Sequence, residues 1–298
     1  MSNLKGKTGK NLCKALLYTF FVLICICCIA PILLVLSISF TPEKLIVENG
    51  YKFFPQAFST EAYEYLFANA ASIFNAYKVT IFVTVVGTVL GLTITAMIAY
   101  PLSREDLKYR NIIAVFLFIT MLFNGGLVPS YILVTKYLHL KDTIWILIFP
   151  LMVSAWNILI MRNFFKTGVP VTVIESAKLD GAGEFYTFVK IVAPISKPAF
   201  ATVGLFISIA YWNDWWNALL YIEDRSLMPL QYTLQSILMN IQVLLSNTNN
   251  QVQTKVVEIP TEGVRMALCV LAIGPIVLAY PFFQKYIVKG MTVGAVKG

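Results

Sequence analysis

Six long apolar runs set the limits on what this chain can fold into. They cover residues 15–40, 79–100, 111–133, 143–161, 199–221 and 266–283, and Asp214 is the one charged residue in any of them. A helix needs about 20 apolar residues to cross the hydrocarbon core of a bilayer. Each run is near that length. An outer-membrane barrel would instead alternate apolar and polar residues over strands of about 10 residues. These runs are continuous. The sequence therefore predicts an all-α, polytopic membrane protein with six transmembrane helices.

Composition agrees. The 298 residues are 58% hydrophobic and 13% charged, whereas soluble domains carry about 25% charged residues. Lys5, Lys7, Lys10 and Lys14 precede the first run, as in a signal peptide. That run exceeds an h-region of about 7–15 residues, and no small-residue cleavage site follows it, so it reads as a spanning helix. With the N-terminus inside, 15 of the 23 lysines and arginines fall on the cytoplasmic side and 8 outside. The positive-inside rule then places both termini in the cytoplasm. The net charge of +8 follows from this sorting, and no nucleic-acid partner is expected. The length suits a single transmembrane domain, residues 1–298, with outer loops at 41–78 and 222–265.

Little points to catalysis. Cys13, Cys25, Cys27, Cys28 and Cys269 lie in or beside apolar runs, where cysteine acts as a small hydrophobe. Cys25 and Cys28 share a helix face without a nearby His or carboxylate, so no metal site is expected. His139 is the only histidine. There is no G-x-x-x-x-G-K-[ST] loop, so any ATP hydrolysis belongs to another chain.

Residues 171–198, VTVIESAKLDGAGEFYTFVKIVAPISKP, form a polar island between the fourth and fifth runs. They read as two short helices. Thr172 is the expected N-cap of the first, which runs to about Asp180. Gly181 sits where a C′ residue needs positive φ. Phe185, Phe188, Val189 and Val192 would stripe one face of the second helix, and Pro194 would end it.

Within that island, Glu175, Ala177, Gly181, Ile191 and Pro194 fall on a known spacing: E-A-A, three residues, G, nine residues, I-x-L-P. Ser176 stands for the central Ala, and Ala193 for the Leu. This resembles the cytoplasmic loop signature of importer permeases of the ATP-binding cassette (ABC) class. The resemblance implies that the hairpin docks into a cleft on a separate ATPase. Its coupling residues would be Glu175, Ser176, Ala177, Asp180, Gly181, Phe185, Phe188, Ile191 and Pro194.

Several runs carry interruptions. Asn124, Gly125, Gly126 and Pro129 sit late in the third, and Pro150 could kink the fourth. Gly87 and Gly91 offer a close-packing face in the second. The fifth contains Tyr211-Trp212-Asn213-Asp214-Trp215-Trp216-Asn217. On a continuous helix Asp214 would lie about 23 Å above Ala199, in the outer half. An acid at that depth is expensive unless it faces a cavity or a partner. Trp212 and Trp216 would share one face, Asn213 and Asn217 the next. Asn and Asp suit sugar hydroxyls, and aromatic rings suit sugar C–H faces. Asn124, Trp212, Asn213, Asp214, Trp216 and Asn217 are therefore candidates for a substrate path. The alternative is an interfacial aromatic belt with Asp214 at the helix end. The outer loop beyond carries Asn240, Gln242, Asn247, Asn249, Asn250, Gln251 and Gln253, and its opening, LMPLQYTLQSILMNIQVLL, should be partly helical.

Together, the six runs, the loop signature, the W-N-x-W-W-N cluster and the stretches FNGGLVPSYILV, MRNFFKTGVP and PLQYTLQSIL resemble one family over residues 12–298. It is the inner-membrane permease subunit of maltose-type carbohydrate ABC importers. The match is to the branch for complex oligosaccharides, common in Gram-positive bacteria. The resemblance implies a type I ABC importer permease fold in the bacterial plasma membrane, working by alternating access. It implies a second homologous permease subunit, a dimeric ATPase that holds ATP and Mg, and an extracellular sugar-binding lipoprotein. The chain itself would carry no cofactor. A permease for amino acids or peptides, and a membrane channel, are the rival readings; a channel would have no need of the hairpin.

Overall fold

A computed structural model describes residues 2–68, 70–247 and 261–295. Its regular elements are all helical among the described residues, and besides π turns at Leu133–Tyr137 and Phe188–Val192 and 3-10 turns at Ile144–Leu147 and Arg225–Leu227 these are α-helices. They are α1 (Ser2–Ser39), α2 (Glu43–Asn49), α3 (Glu61–Phe67), α4 (Ala70–Ser103), α5 (Arg110–Leu122), α6 (Leu127–Ile132), α7 (Phe149–Met152), α8 (Ala155–Gly168), α9 (Val171–Leu179), α10 (Glu184–Thr187), α11 (Ala193–Ile195), α12 (Lys197–Trp212), α13 (Trp216–Tyr221), α14 (Leu230–Asn247) and α15 (Thr261–Ala295). Three stretches are long and apolar enough to cross a membrane unbroken: Cys13–Ser39, Ala70–Ser103 and Thr261–Leu278. Three bent pairs, Arg110–Leu122 with Leu127–Tyr137, Ile144–Met152 with Ala155–Gly168, and Glu184–Ile195 with Lys197–Trp212, raise the candidate crossings among the described residues to at most six. Leu16, Phe20, Leu23 and Ile32 of α1 are exposed, as are Ile112, Val115, Phe116 and Leu122 of α5. A helix that is apolar all round belongs in lipid or against a partner.

The breaks have local causes. The third run bends by 106° between α5 and α6. There Phe123 is extended, Gly126 has φ +85°, and Asn124 Oδ1 accepts the Gly126 N–H at 2.9 Å. The fourth run bends by 50°, at the extended pair Val153–Ser154 and away from Pro150. Pro150 instead opens α7, where its missing N–H would be unpaired in any residue. The fifth run, expected as one helix over 199–221, stops at Trp212 and restarts at Trp216. The segment after the fifth run is helical over α14, as its apolar content suggests. Asn249, Asn250, Gln251 and Gln253 lie outside the described residues.

The chain divides into two compact units. One joins Met1–Ala70 with Asn240–Gly274; the other joins Ala71–Met239 with Pro275–Gly298. In the first, the carboxylate of Glu43 caps α15 from a distance in sequence. Its Oε1 accepts from Thr261 Oγ1 at 2.9 Å and from the Glu262 N–H at 3.0 Å, and its Oε2 accepts from the Gly263 N–H at 3.0 Å. These satisfy donors that the first turn of a helix leaves unpaired, and they set negative charge on the positive end of the dipole.

The second unit holds the larger core. Ile146, Leu147, Ile148, Ile158, Met161, Val203 and Ile207 are almost fully buried there. The Gly87–Gly91 face packs closely, as expected. A Cβ on Gly91 would stand 2.9 Å from the Met152 carbonyl oxygen, and the Tyr211 ring lies against Gly87.

Candidate functional site

The hairpin turns on Gly181. Its φ is +81°, and a Cβ there would meet nothing within 4 Å. Glycine is therefore required by backbone conformation and not by crowding. The Gly181 N–H donates to the Lys178 carbonyl at 3.0 Å, and the Ala182 N–H to the Ala177 carbonyl at 2.9 Å. This pair of bonds is a Schellman motif, which pairs carbonyls that the end of α9 would leave free.

Two details differ from expectation. Helix α9 begins at Val171, behind extended Pro170, so Thr172 is inside the first turn and is not the N-cap. Its carbonyl accepts from Ser176 Oγ at 2.9 Å. Pro194 does not end the second helix, which runs on through Ile195. The reason is a π turn over Phe188–Val192, closed by the Ala193 N–H donating to the Phe188 carbonyl. The wider turn comes just before the proline, and the chain then bends by 84° into α12.

That wider turn also rotates the apolar stripe. Thr187 and Val192 are buried, five residues apart, and Phe188 is half-buried. Phe185, expected on the same face, is 72% exposed, and Val189 is exposed too. Ala177 is buried and Ile191 half-buried, while Glu175, Ser176, Asp180, Gly181 and Pro194 are exposed. Leu179, 89% exposed, and Tyr186 add to the outward surface. Sequence reasoning passed over both. Leu179 had a signal, being an apolar residue between Lys178 and Asp180 just before the turn.

A polar ring ties the hairpin to the C-terminal end of α4. Lys178 Nζ meets Asp106 Oδ2 at 2.7 Å and Glu184 Oε1 at 2.9 Å. Tyr100 OH donates to Glu184 Oε2 at 2.8 Å. Arg104 grips Asp106 with two donors, Nε at 3.3 Å and a terminal nitrogen at 3.1 Å. Hydrogen bonds from Arg104 and then Lys178 hold the Asp106 carboxyl well below the usual carboxylate range. Asp106 and Glu184 in turn push the Lys178 ammonium up. Beneath the ring, the Tyr100 and Phe188 rings pack with centroids 5.1 Å apart. A cavity of about 440 Å³ opens there, lined by Met97, Tyr100, Arg104, Glu184, Phe185 and Phe188. No sequence motif pointed to this ring, because its members come from separate segments.

The second candidate site lies where α12 breaks. Asp214 Oδ1 accepts the Asn217 N–H at 3.2 Å, and Oδ2 accepts from Asn217 Nδ2 at 2.8 Å. The acid thus caps α13. Asn213 Nδ2 donates to the Ile209 carbonyl at 3.0 Å. Trp212 and Trp216 do not share a face, because the break resets the helical register: Trp212 is 8% exposed and Trp216 47%. Trp215, which the sequence argument left aside, packs edge-on against Trp216 with centroids 5.6 Å apart. Asn213, Asp214, Trp216 and Asn217 therefore gather at one break. Asn124 bonds locally to Gly126, and no described contact joins it to them.

Comparison with known proteins adds an independent finding. Residues 91–293 match the family model described as "Binding-protein-dependent transport system inner membrane component". Protein LplC of Bacillus subtilis (strain 168) is 40% identical over 270 residues, covering 91% of this chain and 90% of LplC. The polygalacturonan/rhamnogalacturonan transport system permease protein YtcP of the same organism is 36% identical over 283 residues, covering 95% and 97%. Among solved structures, a bacterial ABC transporter involved in import of the acidic polysaccharide alginate aligns with a TM-score of 0.76. It is 27% identical and covers 93% of this chain and 96% of that one.

Proposed function

This chain belongs to the family of binding-protein-dependent transport system inner membrane components, and on that premise we propose that it is one permease subunit of an ABC importer for an oligosaccharide. The sugar reading draws on relatives named for polygalacturonan/rhamnogalacturonan and arabinooligosaccharide transport. The chain sits in the bacterial plasma membrane, in a Gram-positive cell, with both termini cytoplasmic. It pairs with a second homologous permease to enclose the path. A dimeric ATPase below binds ATP and Mg, and an extracellular sugar-binding lipoprotein delivers the substrate from above.

The single observation that carries the reading is the tip of the hairpin. The Schellman turn at Gly181 leaves Leu179, Phe185 and Tyr186 exposed near Glu175 and Asp180. An outward apolar group rimmed by acids, on cytoplasmic backbone, suits docking into a cleft of another protein. A channel has no use for such a dock.

At the outer end, the asparagines at the break after Trp212, with the exposed Trp216 ring, line the sugar path. The break gathers Asn213, Asp214 and Asn217 beside the exposed Trp216 ring, which supports that role. Irregular backbone at membrane depth is tolerated where protein covers it or where it lines a cavity.

The test is assembly. Gly181→Val places a β-branched residue at positive φ, at a cost of roughly 1–2 kcal/mol or more to the local turn. Gly181→Val and Glu175→Lys should reach the membrane yet lose the ATPase on co-purification, and transport with it. Retention of the ATPase and of transport by both variants would reject the dock.

A further inference from the structure

We propose that Lys178 is the positioning residue through which displacement of the hairpin is carried into the second membrane span. The proposal rests on the hairpin's reading as the ATPase dock, and it concerns what lies behind that dock. Two kinds of contact join hairpin to span. The first is apolar: the Phe188 ring packs on the Tyr100 ring. Apolar contact is non-directional. It holds the surfaces together and lets one slide over the other.

The second is the polar ring, and it is closed. From the end of α4 it runs through Arg104 to Asp106, across to Lys178 on α9, over to Glu184 at the start of α10, and back to Tyr100 on α4. Each link has fixed partners and lengths, so the ring sets the register that the apolar face leaves free. Lys178 serves both of its crossings: its ammonium makes the ion pair to Asp106, and it holds Glu184, whose other oxygen accepts from Tyr100.

The ring is also poorly placed to serve folding. The Lys178, Asp106 and Glu184 side chains are 41%, 53% and 56% exposed, and exposed ion pairs contribute little to stability. Losing Lys178 should therefore leave the hairpin folded and docked, held to the span by the Phe188–Tyr100 packing and by one Glu184–Tyr100 hydrogen bond whose carboxylate is no longer fixed, so that its register against the span can shift. Tyr100 has a part in both contacts, since its ring packs on Phe188 while its hydroxyl holds Glu184.

The test uses the assembled importer, with its second permease and ATPase, in lipid nanodiscs. The five cysteines are replaced by serine. Spin labels are placed at Lys190→Cys on the hairpin and Val89→Cys on α4, both exposed positions outside the ring. The distance between them is measured with and without ATP–Mg trapped by vanadate. In the parental chain the two labels should move together and their separation should hold. In Lys178→Met, trapping should change it by about 2 Å or more, the scale of helix shifts in coupled transitions. Lys178→Arg, which keeps charge and reach, should restore the parental behaviour. A constant separation in Lys178→Met, or failure of Lys178→Arg to restore it, overturns the proposal. So does loss of the ATPase from the Lys178→Met complex, since Lys178 would then belong to the dock. A parental chain that holds no ATPase overturns the docking reading, and this one with it.

Discussion

Tyr211 lies against Gly87 so closely that a Cβ on Gly87 would stand 2.6 Å from its ring carbon Cε2. The ring cannot retreat easily, because its hydroxyl donates to the Ile148 carbonyl at 2.6 Å in a buried setting. One tyrosine thus joins α4, the segment before α7, and α12. Gly87→Ala should destabilise the protein by about 1–3 kcal/mol through overpacking. Tyr211→Phe keeps the ring and should lose only about 0.5–1.5 kcal/mol, the net value of one hydrogen bond. Thermal unfolding in detergent checks the order. A Gly87→Ala variant as stable as the parent would show that the contact is loose.

Glu43 should matter to α15 far more than its place in a short helix suggests. Its carboxylate accepts from Thr261, Glu262 and Gly263. Glu43→Ala should weaken that helix start by about 0.5–2 kcal/mol, as loss of a cap does. Amide hydrogen exchange at Glu262 and Gly263 should speed up correspondingly. Unchanged exchange at both amides would remove the cap from the account.

Membrane orientation can be read by labelling single cysteines in a cysteine-free background. A membrane-impermeant thiol reagent added to intact cells should modify Glu61→Cys and should miss Lys178→Cys. Both positions are exposed on the protein, so accessibility will report the side of the membrane. Labelling of Lys178→Cys from outside would reverse the orientation and remove the hairpin from the cytoplasm.

The break after Trp212 separates a sugar path from a purely structural helix joint. Asp214→Asn keeps an oxygen for the Asn217 N–H and should preserve the cap; Asp214→Ala should not. If the break lines the path, Asp214→Asn and Trp216→Ala should lower transport or change glycan preference at parental complex yield. Parental transport in both, or loss of the complex in both, would assign these residues to packing or to the interfacial belt.

Much of the hairpin was legible because its chemistry is local. A glycine six residues after Glu175 demands one backbone region, and the backbone adopted it, with φ +81°. The π turn was not legible. It depends on how Phe188 and Val192 meet Tyr100 and the core, and a helical wheel at a fixed period cannot register an inserted residue. Asp214 illustrates the same limit. Its rarity marked it out, yet its partner Asn217 follows from a break that continuous periodicity concealed.

By itself, the sequence determined the class, the candidate crossings and the place of the turn. These follow from the length of apolar runs and the φ preference of single residues, both of which act within a short stretch of the chain. Tertiary structure alone decided where the runs break, which aromatics face outward, and which charges meet. Lys178 and Asp106 stand 72 positions apart, and Glu43 and Gly263 stand 220 apart. Neither pairing leaves a trace in local composition, because a hydrogen bond depends on distances that only packing sets.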